Sequence, residues 1–400
     1  MNQSIYTFCR LFILRIYTMV MNSKFYMSVI ASVLFATTVQ ASSNLGKEYS
    51  DFKNMLNDKY GFDYSLTYSL MAQRSSPAGK HNAVQSYFTP AFTWTNFDNK
   101  YGTGTLNFSY NSVFYGNHTA QDLQARSGMV TPINDFDGEG QEFANLYYTY
   151  QLPGKYDWLT IGAGQYGISM FDGTAYDNDQ QVNFIGYAAS QNATSTYSTA
   201  GLGAYLQATP GRWSFVVGAQ DATNISAPSI RFNHLNDAHY TTFGLIGYNP
   251  NIKGLGEGQY SVLVYNQPYV NEQRDSTTGW SVNMSQDLGD KFSVFARING
   301  VNGDVSSIEQ SYVAGMVYNN PLNRNSLDQI GLSYSYNKIN ENAVGSEIYH
   351  NAEQVIEAYW AWGISRWATI TPDFQFYINP ALNKKSDYGT SASLRLTLFF

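Results

Sequence analysis

From Glu353 to Phe400 the side chains alternate between apolar and polar with a period of two. Ile370, Pro372, Phe374, Phe376 and Ile378 fall on one face, and Thr369, Thr371, Asp373, Gln375, Tyr377 and Asn379 on the other. The last stretch repeats the pattern, with Leu394, Leu396, Leu398 and Phe400 opposing Ser393, Arg395, Thr397 and Phe399. Successive side chains of a strand point to opposite faces, so each stretch reads as a strand with one apolar and one polar side. Nothing of helical period follows that could cover the apolar side. The economical arrangement puts that side in lipid and the polar side around a wet lumen, in a closed all-β, antiparallel barrel that leaves no backbone group unpaired.

Composition agrees with this reading. The chain holds 33 Tyr and 24 Phe, and tyrosine suits a barrel wall because its ring tolerates the headgroup boundary while its hydroxyl stays wet. No apolar run after residue 41 approaches the roughly 20 residues that a helical span needs. With 30 acidic and 23 basic residues, the charge excludes nucleic acid as a partner, which would want a basic stripe.

The N-terminus reads as an export signal. Lys24 supplies the positive start, Met27 to Leu34 the apolar stretch and Val39-Gln40-Ala41 the small-residue cleavage site. Residues 1–41 are therefore expected to be removed, with either Met1 or Met21 as the start. Cys9, the single cysteine, leaves with them, and Ser42 after the cut speaks against lipid attachment. Residues 42–60 carry Leu45, Tyr49, Phe52 and Leu56 at helical spacing, which suggests a short amphipathic helix or a frayed terminus. Residues 61–400 are left for the barrel.

Along 61–400, alternating stretches recur. The first sets Phe62, Tyr64, Leu66, Tyr68 and Leu70 against Asp63, Ser65, Thr67 and Ser69. Continuing to the C-terminus gives about sixteen strands. Their odd-numbered connections are long (72–83, 116–140, 169–199, 222–238, 268–278, 301–310, 339–352 and 380–388) and the even ones mostly brief. Brief turns on one rim and long loops on the other are the outer-membrane pattern. Loop 169–199, with Asp172, Asp177 and Asp179, either folds into the channel or caps it from outside.

Catalytic constellations are missing from this pattern. All five histidines (His81, His118, His234, His239, His350) fall in expected exterior loops, away from any wall serine or carboxylate. No metal site and no cofactor motif stands out, so an enzyme is not expected. The inward row of the last strands is richer: Glu353, Glu357, Asp373, Gln375 and Arg395 face the lumen, and Arg297 is a further inward base. Glu357, Asp373 and Arg395 are expected as cross-strand neighbours at similar height. They either exchange water for the hydroxyls of a passing solute or brace the wall.

The blocks Val355-Ile356-Glu357-Ala358-Tyr359, Thr371 to Pro380, Leu394-Arg395-Leu396 and Phe400 resemble the carbohydrate-selective porins of the OprB type. A second set, Gly164-Gln165-Tyr166 to Asp172, then Tyr176-Asp177-Asn178-Asp179 and Asn183-Phe184, is similar to that family's entry into its constriction loop. Two departures are Gln165 where the family has lysine and Phe184 after, not before, an asparagine. The resemblance implies a sixteen-stranded Gram-negative outer-membrane barrel in lipid, passing monosaccharides without cofactor. It points to Glu357, Asp373, Gln375 and Arg395, and more weakly to Asp172, Asp177 and Asp179. It also implies delivery by the outer-membrane assembly machinery through the final strand and Phe400. A general porin, a non-conducting surface barrel or adhesin and, more distantly, a barrel-embedded hydrolase are the alternatives.

Overall fold

The computed structural model describes residues 43–400 except Asn117, Arg274 and Ser346. The expected signal segment 1–41 lies outside the described residues. The chain divides into two units, residues 1–60 and 61–400. In the first, α1 (Ser43–Tyr60) forms where the helical spacing predicts it, with Phe52, Met55 and Tyr60 exposed.

The second unit is one antiparallel sheet closed on itself. Its strands are β1 (Phe62–Ser76), β2 (Ala83–Asn99), β3 (Gly102–Tyr115), β4 (Gly140–Gln151), β5 (Leu159–Tyr166), β6 (Gly201–Ala208), β7 (Trp213–Asp221), β8 (Tyr240–Tyr248), β9 (Asn251–Ile252), β10 (Gly256–Gln267), β11 (Thr277–Leu288), β12 (Phe292–Val301), β13 (Ile308–Asn319), β14 (Gln329–Ile339), β15 (Ala352–Ser365), β16 (Ala368–Ile378) and β17 (Tyr388–Phe399). Sixteen of these make the wall; β9 is a two-residue extra that pairs with the start of β10 in the turn after β8. Closure comes from β1 against β17, in register from Thr67↔Phe399 to Ser76↔Thr390. Leu66 and Phe400 then exchange backbone hydrogen bonds of 2.9 and 3.0 Å. A closed ring leaves no edge strand, the condition for crossing lipid with strands.

Alternation holds along the wall. In β15, Ile356, Ala358 and Trp360 are exposed outward while Val355, Glu357, Tyr359 and Ala361 are buried inward. In β16, Ile370, Pro372 and Phe374 are exposed between buried Thr371, Asp373 and Gln375. One connection is shorter than expected. The first long connection is 77–82 rather than 72–83, because Gln73 and Ser75 continue the inward row of β1 and remain paired to β17. The β15–β16 turn falls after Ser365, whose partner is Ala368 across a bulge.

The inside is filled, not hollow, along β10 to β17. Loop 167–200 folds into the lumen, and its Phe184 packs on the inward rings of Phe295 and Tyr359 at centroid distances of 5.4 and 4.8 Å. Loop 116–139 follows it inside, carrying α2 (Ala120–Ser127). Here Thr119 and Asp122 cap each other's backbone, and Gly128 ends the helix at a φ of 68°, a conformation cheap only for glycine. Leu123, Met129 and Ile133 of this loop pack with the inward Val355 and Tyr377.

Candidate functional site

The inward row of β12 and β15–β17 holds the two lumenal loops in place. Glu353 accepts the backbone N–H of Val130 and of Ala381, both at 2.7 Å, on Oε1 and that of Thr131, at 2.6 Å, on Oε2. One carboxylate thus fixes loops 116–139 and 379–387. Glu357 Oε1 accepts from Ile185 at 2.6 Å and Gly186 at 2.9 Å. Gly186 is needed for this approach, since a Cβ there would lie 2.6 Å from Glu357 Oε2. Arg395 donates to the carbonyls of Gln180, Val182 and Asn183. Gln375 reaches the carbonyl of Ile133 at 3.0 Å and Asp373 Oδ1 at 3.2 Å. Charge-assisted bonds of this kind contribute about 1.5–3 kcal/mol each.

On the opposite side of the loop, Arg297 Nη2 pairs with Asp177 Oδ2 at 3.1 Å and donates to the Asp177 carbonyl, while its Nε donates to Asn283 at 2.9 Å. Asp177 Oδ1 also accepts from Thr174 N and Oγ1 at 2.6 and 2.7 Å. Asp172 links the loop's two ends to the wall, accepting from Asn192 at 2.8 Å, Asn283 at 2.9 Å and Tyr197 at 3.1 Å.

The structure therefore redistributes the expected site residues. Glu353, Glu357, Asp373, Gln375, Arg395, Arg297, Asp172 and Asp177 are all buried, covered by loop rather than wetted. Glu357, Asp373 and Arg395 do come together, but on a diagonal and not level. Glu357 faces Gln375, Asp373 lies between Tyr359 and Ser393, and Arg395 opposes Thr371. The staggered ladder of a closed barrel offsets each strand from the last. Gln165, where the family has lysine, is buried and donates to the carbonyl of Phe143.

Of the expected residues, Asp179 alone is exposed, its carboxylate accepting the backbone N–H of Gln181 at 2.7 Å within the loop. It lies among groups that the alternation of the last strands could not reveal. Glu142, on β4, accepts from Asn111 Nδ2 at 3.0 Å. Asn111 Oδ1 in turn accepts from Tyr87 at 3.0 Å and Thr89 at 2.8 Å. Asp135 of loop 116–139 accepts from Gln191 at 3.3 Å, and its backbone N–H donates to Gln180 at 2.7 Å. Its carboxyl is pushed up to about 8, first by burial, then by the charge of Glu142, with smaller contributions from Asp179 and Asp137. One signal in the sequence marked this region: Asp135, Asp137, Glu139 and Glu142 crowd one short stretch. Against these acids, the wall arginines Arg297 and Arg395 are fully buried and bound as described. Among the described residues, no group of three or more His, Cys, Asp or Glu is placed to hold a metal.

Comparison with known proteins agrees with this geometry. Residues 112–400 match the family described as carbohydrate-selective porin, OprB family. Porin AaxA of Chlamydia pneumoniae is 38% identical, the match covering 83% of this chain and 78% of that one. Porin AaxA of Chlamydia trachomatis serovar L2 is also 38% identical, over 88% and 81%. Among solved structures, the high-pH structure of Pseudomonas putida OprB aligns with a TM-score of 0.71 at 14% identity, covering 88% of this chain and 97% of that one. OmpF of Salmonella typhi, in complex with daunomycin, aligns with 0.57 at 14% identity, over 86% and 99%. A sixteen-stranded closed wall with a loop folded inside, matched over most of its length by porins, is a channel and not an enzyme: the chain belongs to the OprB family of carbohydrate-selective porins of the outer membrane.

Proposed function

We propose that this porin passes small hydrophilic solutes passively, monosaccharides foremost, and that its narrowest point is the ring of Asp135, Asp179 and Glu142 facing Tyr87, Thr89 and Asn111. The observation that supports this reading is the imbalance of charge that water can reach. Asp179 is exposed in the lumen, while Arg297 and Arg395 are buried against carbonyls and Asp177. Within low-dielectric walls the charged carboxylates of this ring focus a negative potential, to which Asp135 adds as pH rises through about 8. Neutral sugars and cations then pass while anions are held back, and carboxylate, amide and phenol groups stand in for the water that a sugar sheds. The family description favours sugars within that class. The buried charges of β12 and β15–β17 contribute by positioning the loop that narrows the pore. Phe400, bonded into the closing ladder, completes the strand that the assembly machinery would recognise.

Planar-bilayer recording tests the reading. Under a KCl gradient the reversal potential is expected to show potassium preferred over chloride, and glucose is expected to reduce the current in a saturable way. In proteoliposome swelling, glucose is expected to enter faster than an anionic sugar acid of the same size. Chloride preference, or equal rates for the two sugars, would overturn the ring; a barrel that never conducts would favour the surface-barrel alternative.

A further inference from the structure

We infer that a separate solute site, built for one neutral polyol of hexose size, lies on the inner wall of β1–β4 beside the acidic ring; this rests on the sugar reading above. The register sets two adjacent rungs of side chains there. Asp63 faces Thr93, Thr93 faces Asn107 and Asn107 faces Tyr147; Ser65 faces Ala91, Ala91 faces Ser109 and Ser109 faces Asn145. The next inward groups along the same strands are Thr67, Thr89, Asn111 and Glu142, so a solute leaving the ring meets these rungs directly.

The rungs line a pocket of about 250 Å³, open on one side, just under the roughly 300 Å³ at which pockets for drug-sized ligands begin. That volume accommodates a single sugar ring. The lining offers one carboxylate, two amides and small hydroxyls, hence both donors and acceptors, and no base. Such a set bonds hydroxyl groups as donor and as acceptor, and its carboxylate disfavours an anion. Asn145 donates to Ser109 at 2.7 Å, which fixes its amide on the rung. Asn107 makes a long 3.5 Å contact with the Thr105 carbonyl, which a solute hydroxyl would readily displace. Tyr147 supplies a ring held edge to face by Tyr166 and Tyr205 at 6.3 and 6.2 Å, a fixed surface for the C–H face of a sugar.

The test is glucose block of single-channel current, titrated for the unsubstituted protein and for Asn107→Leu and Asn145→Leu, with heat-modifiable migration in gels to verify folding. Both substitutions are expected to raise the half-blocking glucose concentration roughly tenfold, while the potassium preference of the reversal potential keeps its sign because the ring is intact. Asp63→Asn, which keeps the shape and most of the bonding, is expected to have a smaller effect. Glucose block of unchanged strength in folded Asn107→Leu and Asn145→Leu would overturn this site and leave the ring standing. Absence of block in the unsubstituted protein would overturn the sugar reading and this site together. A reversal potential that collapses with the block would place the effect at the ring instead.

Discussion

Arg297 and Asp177 form an ion pair at 3.1 Å in which the two side chains are 0% and 1% exposed. The arginine belongs to the wall and the aspartate to the loop inside it, so the pair is a strut between barrel and inner loop. Neither partner is available to a solute. Its worth lies in holding the loop at one depth.

Removing one member of a buried pair leaves the other uncompensated, at a cost of about 3–5 kcal/mol. Arg297→Ala is therefore expected to lower the temperature of heat-modifiable unfolding and to give larger, noisier single-channel currents as loop 167–200 loosens. Currents of unchanged size would mean that Glu357, Arg395 and Asp172 suffice to hold it.

Glu353 receives three backbone N–H groups. Glu353→Gln keeps the shape but turns an amide N–H toward a backbone donor, leaving at least one buried donor unsatisfied at about 1–3 kcal/mol. Limited proteolysis is expected to cut within 116–139 and 379–387 in this variant and to spare the unsubstituted protein. Equal protection of both would show that the carboxylate is dispensable as an anchor.

The carboxyl of Asp135, raised to about 8 by burial and by the neighbouring acids, is neutral below that pH and charged above it. Cation preference is thus expected to grow from pH 6 to pH 9. The sign for stability is opposite. A carboxyl whose folded pKa lies above its free value of about 4 favours the folded loop at low pH, and that contribution is lost as pH rises through about 8. Reversal potentials and melting temperatures over this range check both; Asp135→Asn is expected to flatten both profiles.

Phe374 faces outward and is 49% exposed, between buried Asp373 and Gln375. An arginine on a lipid-facing position costs roughly 2–4 kcal/mol near the bilayer midplane. Phe374→Arg is expected to reduce the folded, heat-modifiable fraction recovered in lipid, whereas Phe374→Leu leaves it nearly unchanged. Equal recovery of the two would contradict a lipid-facing outer row.

By itself the sequence determined the wall. Side-chain direction in a strand is a local property with a period of two, so Glu357, Asp373 and Arg395 could be assigned inward, Ile370 and Leu394 outward, and the strands counted, from neighbours alone. What those inward groups touch was decided only by the tertiary structure. Ile185 meets Glu357 across 172 residues of chain and Gln180 meets Arg395 across 215, and no local pattern tells a loop that caps a barrel from one that enters it. Entry buried most of the charges that alternation had singled out and left water to reach a different set, because a side chain's exposure depends on what the rest of the chain brings to lie over it.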